Sequence, residues 1–134
     1  MALNLKLGTT VRNAILDAIE TSIGTSPVIR IYDGSQPANP AAAITGAQLW
    51  TETLPSDWMA AASGGTKALS GTWANTAGAT GTATHFRIWD SGVTNGLIDG
   101  TVGTGTHDLV VDSTSFTNGV TFTITAFTIT APNA

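Results

Sequence analysis

The stretch "TNGVTFTITAFTIT", residues 117–130, restricts the fold more than any other part of the chain. It opens on Asn118-Gly119, a strong signal for a tight hairpin turn. Val120, Phe122 and Ile124 then alternate with threonine, the period of a strand with one buried face. Continued alternation would place large apolar residues at 126 and 128, but they stand at Phe127 and Ile129. Two explanations fit. A β-bulge near Ala126 inserts one residue and flips every side chain beyond it. Alternatively, the strand is covered on both faces. Either way the chain must build a sheet around it.

The rest of the chain after Pro27 also reads as β. "VIRIYDG" ends in the turn pair Asp33-Gly34, and "SQPANPAAAITG" (35–46) has two prolines and no period, which predicts a loop. "AQLWTETLP", "TKALSGTW" and "GTATHFRIWD" read as strands, followed by "NGLIDGTVG" and "HDLVVD"; "SDWMAAASGG" fits a strand or a helical turn. This predicts about seven or eight short strands, the pattern of an antiparallel β-sandwich, jelly-roll-like. One helix precedes them, at about residues 10–23. In "TTVRNAILDAIETSIG", Val11, Ala14, Ile15, Ala18 and Ile19 share a helical face, while Arg12, Asp17 and Glu20 lie away from it. Thr9 or Thr10 is placed to cap its start and Gly24 to end it. So short a helix needs a docking partner, and the apolar stripe is the face expected to dock. With no repeat or linker, residues 1–134 read as a single domain.

Composition narrows the function. Only 10% of the residues are charged, against roughly 25% in an average globular protein. The net charge is −4, and Lys6, Arg12, Arg30, Lys67 and Arg87 are scattered, so no basic stripe exists to neutralise phosphates. Direct nucleic-acid binding is not expected. The absence of cysteine excludes disulfides, thiolate metal sites and a cysteine nucleophile. "MALNLKLGTT" lacks the apolar run of a signal peptide, and no stretch approaches the roughly 20 apolar residues of a membrane span. The expectation is a protein made in the cytoplasm that does not enter a membrane.

No constellation of catalytic residues stands out. His107-Asp108 is the one candidate acid/base pair, with Ser113 or Ser115 as nucleophile, but no nucleophile elbow surrounds any serine, and a surface pair is the better reading. The glycines of "GTVGTGT" lack the lysine of a phosphate loop and a following helix. Asp90, Asp99, Asp108 and Asp112 match no calcium-loop spacing and fall at strand ends, where aspartate favours turns. No enzyme activity, cofactor or metal is expected. A small hydrolase ranks last among the readings.

The tryptophans say more. Trp73 and Trp58 are expected in the core. Trp89 differs: in "THFRIWD", Phe86 and Ile88 share one face, and His85, Arg87 and Trp89 share the other, which is expected to point outward. Arginine beside tryptophan on a surface resembles the centre of a protein interface, and an aromatic platform for sugar is the rival reading. The candidate interface residues are Arg87, Trp89 and His85, joined by Ser35, Gln36, Pro37 and Pro40 of the 35–46 loop.

Taken together, "TTVRNAILDAI", "IRIYDGSQPANP", "GTATHFRIWDSG" and the closing "VTFTITAFTITAP" resemble a recurring type of small virion structural protein of tailed bacteriophages. The likeness runs from the helix to the C-terminus and lies in the cadence of these segments. It implies a β-sandwich or jelly roll that cements or decorates the outer capsid surface and bridges neighbouring copies of the major capsid protein. It carries no catalytic residues. A homodimer or homotrimer is the expected self-assembly, and a tail or fibre component binding a host-surface glycan is the alternative.

Overall fold

The computed structural model describes residues 3–134. Helix α1 spans Thr9–Ile23, followed by strands β1 (Val28–Tyr32), β2 (Gln48–Thr53), β3 (Thr66–Ala68), β4 (Trp73–Thr76), β5 (Gly81–Thr82), β6 (His85–Trp89), β7 (Gly96–Gly103), β8 (Leu109–Val111), β9 (Ser115–Phe116) and β10 (Thr121–Thr130). The protein is mainly β with one helix, as the patterning predicts.

The strands do not form two facing antiparallel sheets. One mixed sheet runs β2-β1-β6-β7-β8-β10-β3, with β4 also paired to β10, and β5-β9 form a small separate ribbon. The parallel pair is β7-β8, with Val102 opposite Leu109. The expectation of purely antiparallel pairing is corrected at this pair. The cause is local: Asp108, at the end of the short 104–108 connection, accepts the Thr101 N–H (2.9 Å) and hydroxyl (2.9 Å) and directs the chain back alongside β7. The sheet curls until β2 meets β4, where Trp50 Nε1 donates to the Asn75 carbonyl (2.8 Å) and Asn75 Nδ2 donates to the Thr51 carbonyl (2.8 Å).

The curl encloses an aromatic core. Trp50, Trp58, Trp73, Phe86 and Phe116 are fully buried, with Phe122 and Phe127 against them. Phe86 meets Phe127 edge to face, and Phe116 stacks on Phe122 at 4.2 Å between centroids. Trp58 and Trp73 each donate to a backbone carbonyl, of Gly24 and Ser70 respectively, so their burial leaves no indole N–H unpaired.

The phase change in β10 is a bulge. Ile124 pairs with Val111 and Ala126 with Val110, so Thr125 is the extra residue. It lets Phe122, Ile124 and Phe127 all enter the core. The Thr125 hydroxyl donates to the Val110 carbonyl within the irregularity (3.2 Å).

The helix departs most from expectation. Its cap residue is Gly8 rather than Thr9 or Thr10, with no side-chain cap, and Gly24 ends it at a φ of 90°. Its buried residues are Arg12 and Leu16, whereas Val11 is 50% and Ile15 40% exposed. The polar side docks. Lys67 of β3, 2% exposed, places its ammonium 2.7 Å from Asp17 and 2.8 Å from Glu20. Asn13, Asp17 and Glu20 also accept the backbone N–H groups of Gly65, Ala62 and Met59. Arg12 donates to the Ala131 carbonyl (2.9 Å). The 59–65 segment and the chain end after β10 carry backbone groups without a sheet partner, and charged side chains satisfy them where an apolar stripe would not.

Burial disfavours the Lys67 ammonium, but its bonds to Asp17 and Glu20 outweigh that and raise its pKa. The Asp17 carboxyl is correspondingly lowered, first by the Lys67 hydrogen bond. Replacing Lys67 by methionine keeps the packed stem and removes the charge, leaving Glu20 without its cation. A thermal melt followed by circular dichroism is expected to show a midpoint several degrees lower for Lys67→Met. Asp17→Asn is expected to lose less, because Glu20 and the Ala60 carbonyl still hold the ammonium.

Candidate functional site

Strands β1 and β6 pair in register, with Arg30 opposite Arg87 and Tyr32 opposite His85. Phe86 and Ile88 enter the core, so His85, Arg87 and Trp89 line the other face. That face is covered rather than open. The 34–46 loop folds across it, and His85 and Arg87 are 0% and 2% exposed. The expectation of an outward face for these two is corrected; Trp89 remains half-buried.

Arg87 fixes the cover. Its Nε and one terminal nitrogen grip Asp99 of β7 at 2.6 and 2.8 Å, and the guanidinium also donates to the carbonyls of Ala42 (2.8 Å) and Asn39 (3.0 Å). This planar fork satisfies a carboxylate and two loop carbonyls together, a task a lysine could not perform. The Asp99 hydrogen bond raises the arginine's pKa and keeps it charged despite burial. The guanidinium also lies 5.2 Å from the Trp89 ring centroid. Gly96 permits the approach: a Cβ there would collide with the Pro40 carbonyl and the Arg87 stem.

The loop has a second closure at its neck. Asp33 Oδ1 accepts the Ala47 N–H (2.6 Å), and the Asp33 N–H donates to the Ala47 carbonyl (3.1 Å). Within the loop, Asn39 Oδ1 accepts the N–H groups of Ala41 and Ala42. Ser35 and Gln36 are exposed between neck and clamp, and Pro37 and Pro40 are half-buried. Between loop and sheet lies a hollow of about 460 Å³, bordered by Arg30, Gln48, Trp89 and Asn95. Trp89 Nε1 donates to the Tyr32 hydroxyl (3.1 Å), and Tyr32 stacks on His85. Of the seven predicted interface residues, Arg87 and His85 are supports beneath the surface, Trp89 and Pro40 border the hollow, and Ser35, Gln36 and Pro37 belong to the loop between its two closures.

Tyr32, Asn39 and Gly96 complete this region without a signal in the sequence, and Asp99, weighed there only as a calcium ligand, joins them as the partner of Arg87. Asp99 was out of reach for a definite reason. Plain counting from the 90–95 turn sets Arg87 opposite Ile98. Trp89 pairs with Gly96 and Ile88 with Ile98, so Leu97 is bulged and Arg87 meets Asp99.

Other candidates are engaged elsewhere. Asp90 accepts from Thr94 and Asn95 in its own turn, and the Thr94 backbone bond leads in lowering its pKa. Asp108 binds Thr101, Ser113 accepts the Ser115 N–H, and His107 packs over Gly103. Among the described residues, no group of three or more acidic or histidine side chains gathers as a metal site would require. Among them too, no helix is long and apolar enough to cross a membrane. Comparison with known proteins yields no relative: no family model, no curated protein and no solved structure matches the chain.

Two outcomes follow from the clamp. Arg87→Met leaves the Asp99 carboxylate buried without a cation and two loop carbonyls without donors. Urea unfolding is expected to show a loss of about 3–5 kcal/mol, the scale for a broken buried pair. The second concerns pH. Burial lowers the His85 pKa from 6.5; Arg87 pushes the same way, and Asp99 and Asp33 oppose. Its Nε2 is buried without a partner. The unfolded chain therefore takes the proton first as pH falls, so the stability from neutral His85 is complete above about pH 6.5 and declines below it. Melting midpoints between pH 7 and 5 should fall less steeply for His85→Phe than for the unsubstituted protein.

Proposed function

We propose that this protein is a capsid cement or decoration protein of a tailed bacteriophage, made in the host cytoplasm and bound to the outer capsid surface, where it holds adjacent capsomers together. The observation that carries the reading is the doubly closed 34–46 loop. Residues 35–46 contain no charged side chain, and the backbone is shaped in advance by the Asp33 neck and the Arg87 clamp. Contact surfaces are depleted of charge at their centres, and a loop already in its bound form loses little entropy on docking. In this reading Ser35, Gln36, Pro37 and Pro40 touch the major capsid protein, Trp89 closes the edge of the contact, and the curled sheet serves as the rigid scaffold. The sequence resemblance to phage virion proteins supports the same assignment.

A clamp of this kind needs no catalytic group. By binding the assembled shell but not separated subunits, it stabilises assembly by mass action, by about 2.7 kcal/mol per site at a hundredfold excess over its dissociation constant.

A second reading rests on the hollow. Trp89 is half-buried among Arg30, Gln48 and Asn95, an aromatic edge ringed by hydrogen-bonding groups. That chemistry suits a host-surface glycan bound by a tail or fibre component.

Virions with and without the protein separate the two. Cement predicts many copies on the head, and depleted capsids that release DNA at a lower temperature. Adding back the protein should restore them, whereas a Ser35→Glu/Gln36→Glu variant, altered outside the clamp, should bind at least about tenfold more weakly, roughly 1.4 kcal/mol. Equal heat resistance of depleted and complete capsids, with the protein located on the tail, would move the glycan reading forward.

A further inference from the structure

The sheet is split at one place. At its centre β8 separates β7 from β10, pairing Leu109 with Val102 on one side and Phe127 on the other. But β8 begins only at Leu109. Before that point β7 from Gly96 to Gly100 is paired to β6 alone, the Thr101 N–H being held by the Asp108 carboxylate, and β10 from Thr128 to Thr130 is paired to β3 alone. Two open strand edges thus flank a gap the width of one missing strand, about 10 Å from β7 to β10 where β8 ends. The gap is part of a cavity of about 700 Å³. Its roof is the helical stripe that does not dock, with Ile15 40% exposed, and its walls include Leu97 and Ile129. Unpaired strand edges beside an apolar cleft form a template for an extended segment.

The chain carries such a segment. Residues 3–7 read Leu-Asn-Leu-Lys-Leu, alternating with the period of a strand. Leu3 is 94% and Leu5 70% exposed, the two most exposed large apolar side chains among the described residues. We infer that the Leu3–Leu7 arm of one copy enters the gap of a second copy and extends the line of β8, with Leu3 and Leu5 turned toward the helical stripe. Charge agrees with this pairing: the exposed Asp108 borders the cavity, and Lys6 is the single charged side chain between Leu3 and Leu7.

The arm lies outside its own gap, with Leu3 and Leu5 both exposed. The Leu7 N–H is tied to the Asn133 carbonyl at 2.8 Å, which leaves Leu3–Lys6 free, about 13 Å at full extension. The cavity meets the helix from Ile15 to Ile23; Ile15 lies about 9 Å and Ile19 about 15 Å along the axis from Thr9, so an arm folded back along its own helix covers at most the near end of the cavity. An exchange in both directions between two copies uses the same patch twice, as closed dimers do. This inference is independent of the capsid assignment.

The test uses the full chain in solution. Sedimentation across micromolar concentrations is expected to show self-association, and Leu3→Asp/Leu5→Asp to weaken it at least about tenfold with unchanged circular dichroism. Because the chain has no cysteine, placement can be read directly. A Leu5→Cys chain mixed with an Ile129→Cys chain should give a disulfide-linked heterodimer on oxidation. A strictly monomeric protein, a dissociation constant unmoved by the arm substitutions, or a Leu5→Cys/Ile129→Cys chain that closes within itself would overturn the inference. Each result stands apart from capsid binding, so failure of one reading does not decide the other.

Discussion

The buried ammonium of Lys67 decides which side of the helix meets the sheet. Its two carboxylate partners, Asp17 and Glu20, sit on the polar side of α1, and both also hold backbone N–H groups of the 59–62 segment. Charged and amide side chains do here what a sheet ladder does elsewhere: they satisfy main-chain groups. Leu16 is the apolar contact that completes the dock. Because the polar side is committed inward, the stripe containing Val11, Ile15 and Ala18 is left facing outward. An amphipathic helix has therefore been mounted in reverse, and the apolar cavity beside it is a direct result.

A second buried cation organises the opposite end. Arg87 joins a strand, the neighbouring strand's Asp99 and an irregular loop through one guanidinium. Asp99 also borders the cavity beneath the helix, so a single ion pair lies between that cavity and the hollow under the loop. Both regions depend on bulges. The one at Leu97 brings Asp99 opposite Arg87 and leaves Leu97 on the cavity wall; the one at Thr125 turns Phe127 into the core. Each extra residue costs a regular pairing and changes which side chains a face presents.

Much of this was legible in the sequence. The helix ends within a residue or two of its predicted limits, and Trp58 and Trp73 are in the core; Asn118-Gly119 is a turn but not a hairpin, because β9 on one side pairs with β5 and not with β10. The bulge in β10 was one of two readings of the phase change and is the one that holds. The failures share a cause. Periodicity reports which residues are apolar, not what backbone lies opposite them. The unpaired N–H groups near Met59, Ala62 and Gly65, which draw the helix's polar side inward, leave no mark in a hydrophobic pattern. The parallel β7-β8 pair depends on a side chain, Asp108, acting on backbone seven residues away. The buried placement of His85 and Arg87 needs a loop whose position no local signal gives.

The loop over β1 and β6 is closed twice, at its neck by Asp33 and at its middle by Arg87. The two closures divide it into compartments with different freedom to diversify. Residues 39–42 supply carbonyls to the guanidinium, so their path is fixed by the strand beneath. Ser35 and Gln36 bear no such duty, and lengthening a surface loop is cheap, each doubling costing only about 0.6 kcal/mol. The tip can therefore drift in length and chemistry across generations while the guanidinium keeps the scaffold unaware of the change, so recognition can be retuned without being renegotiated with folding.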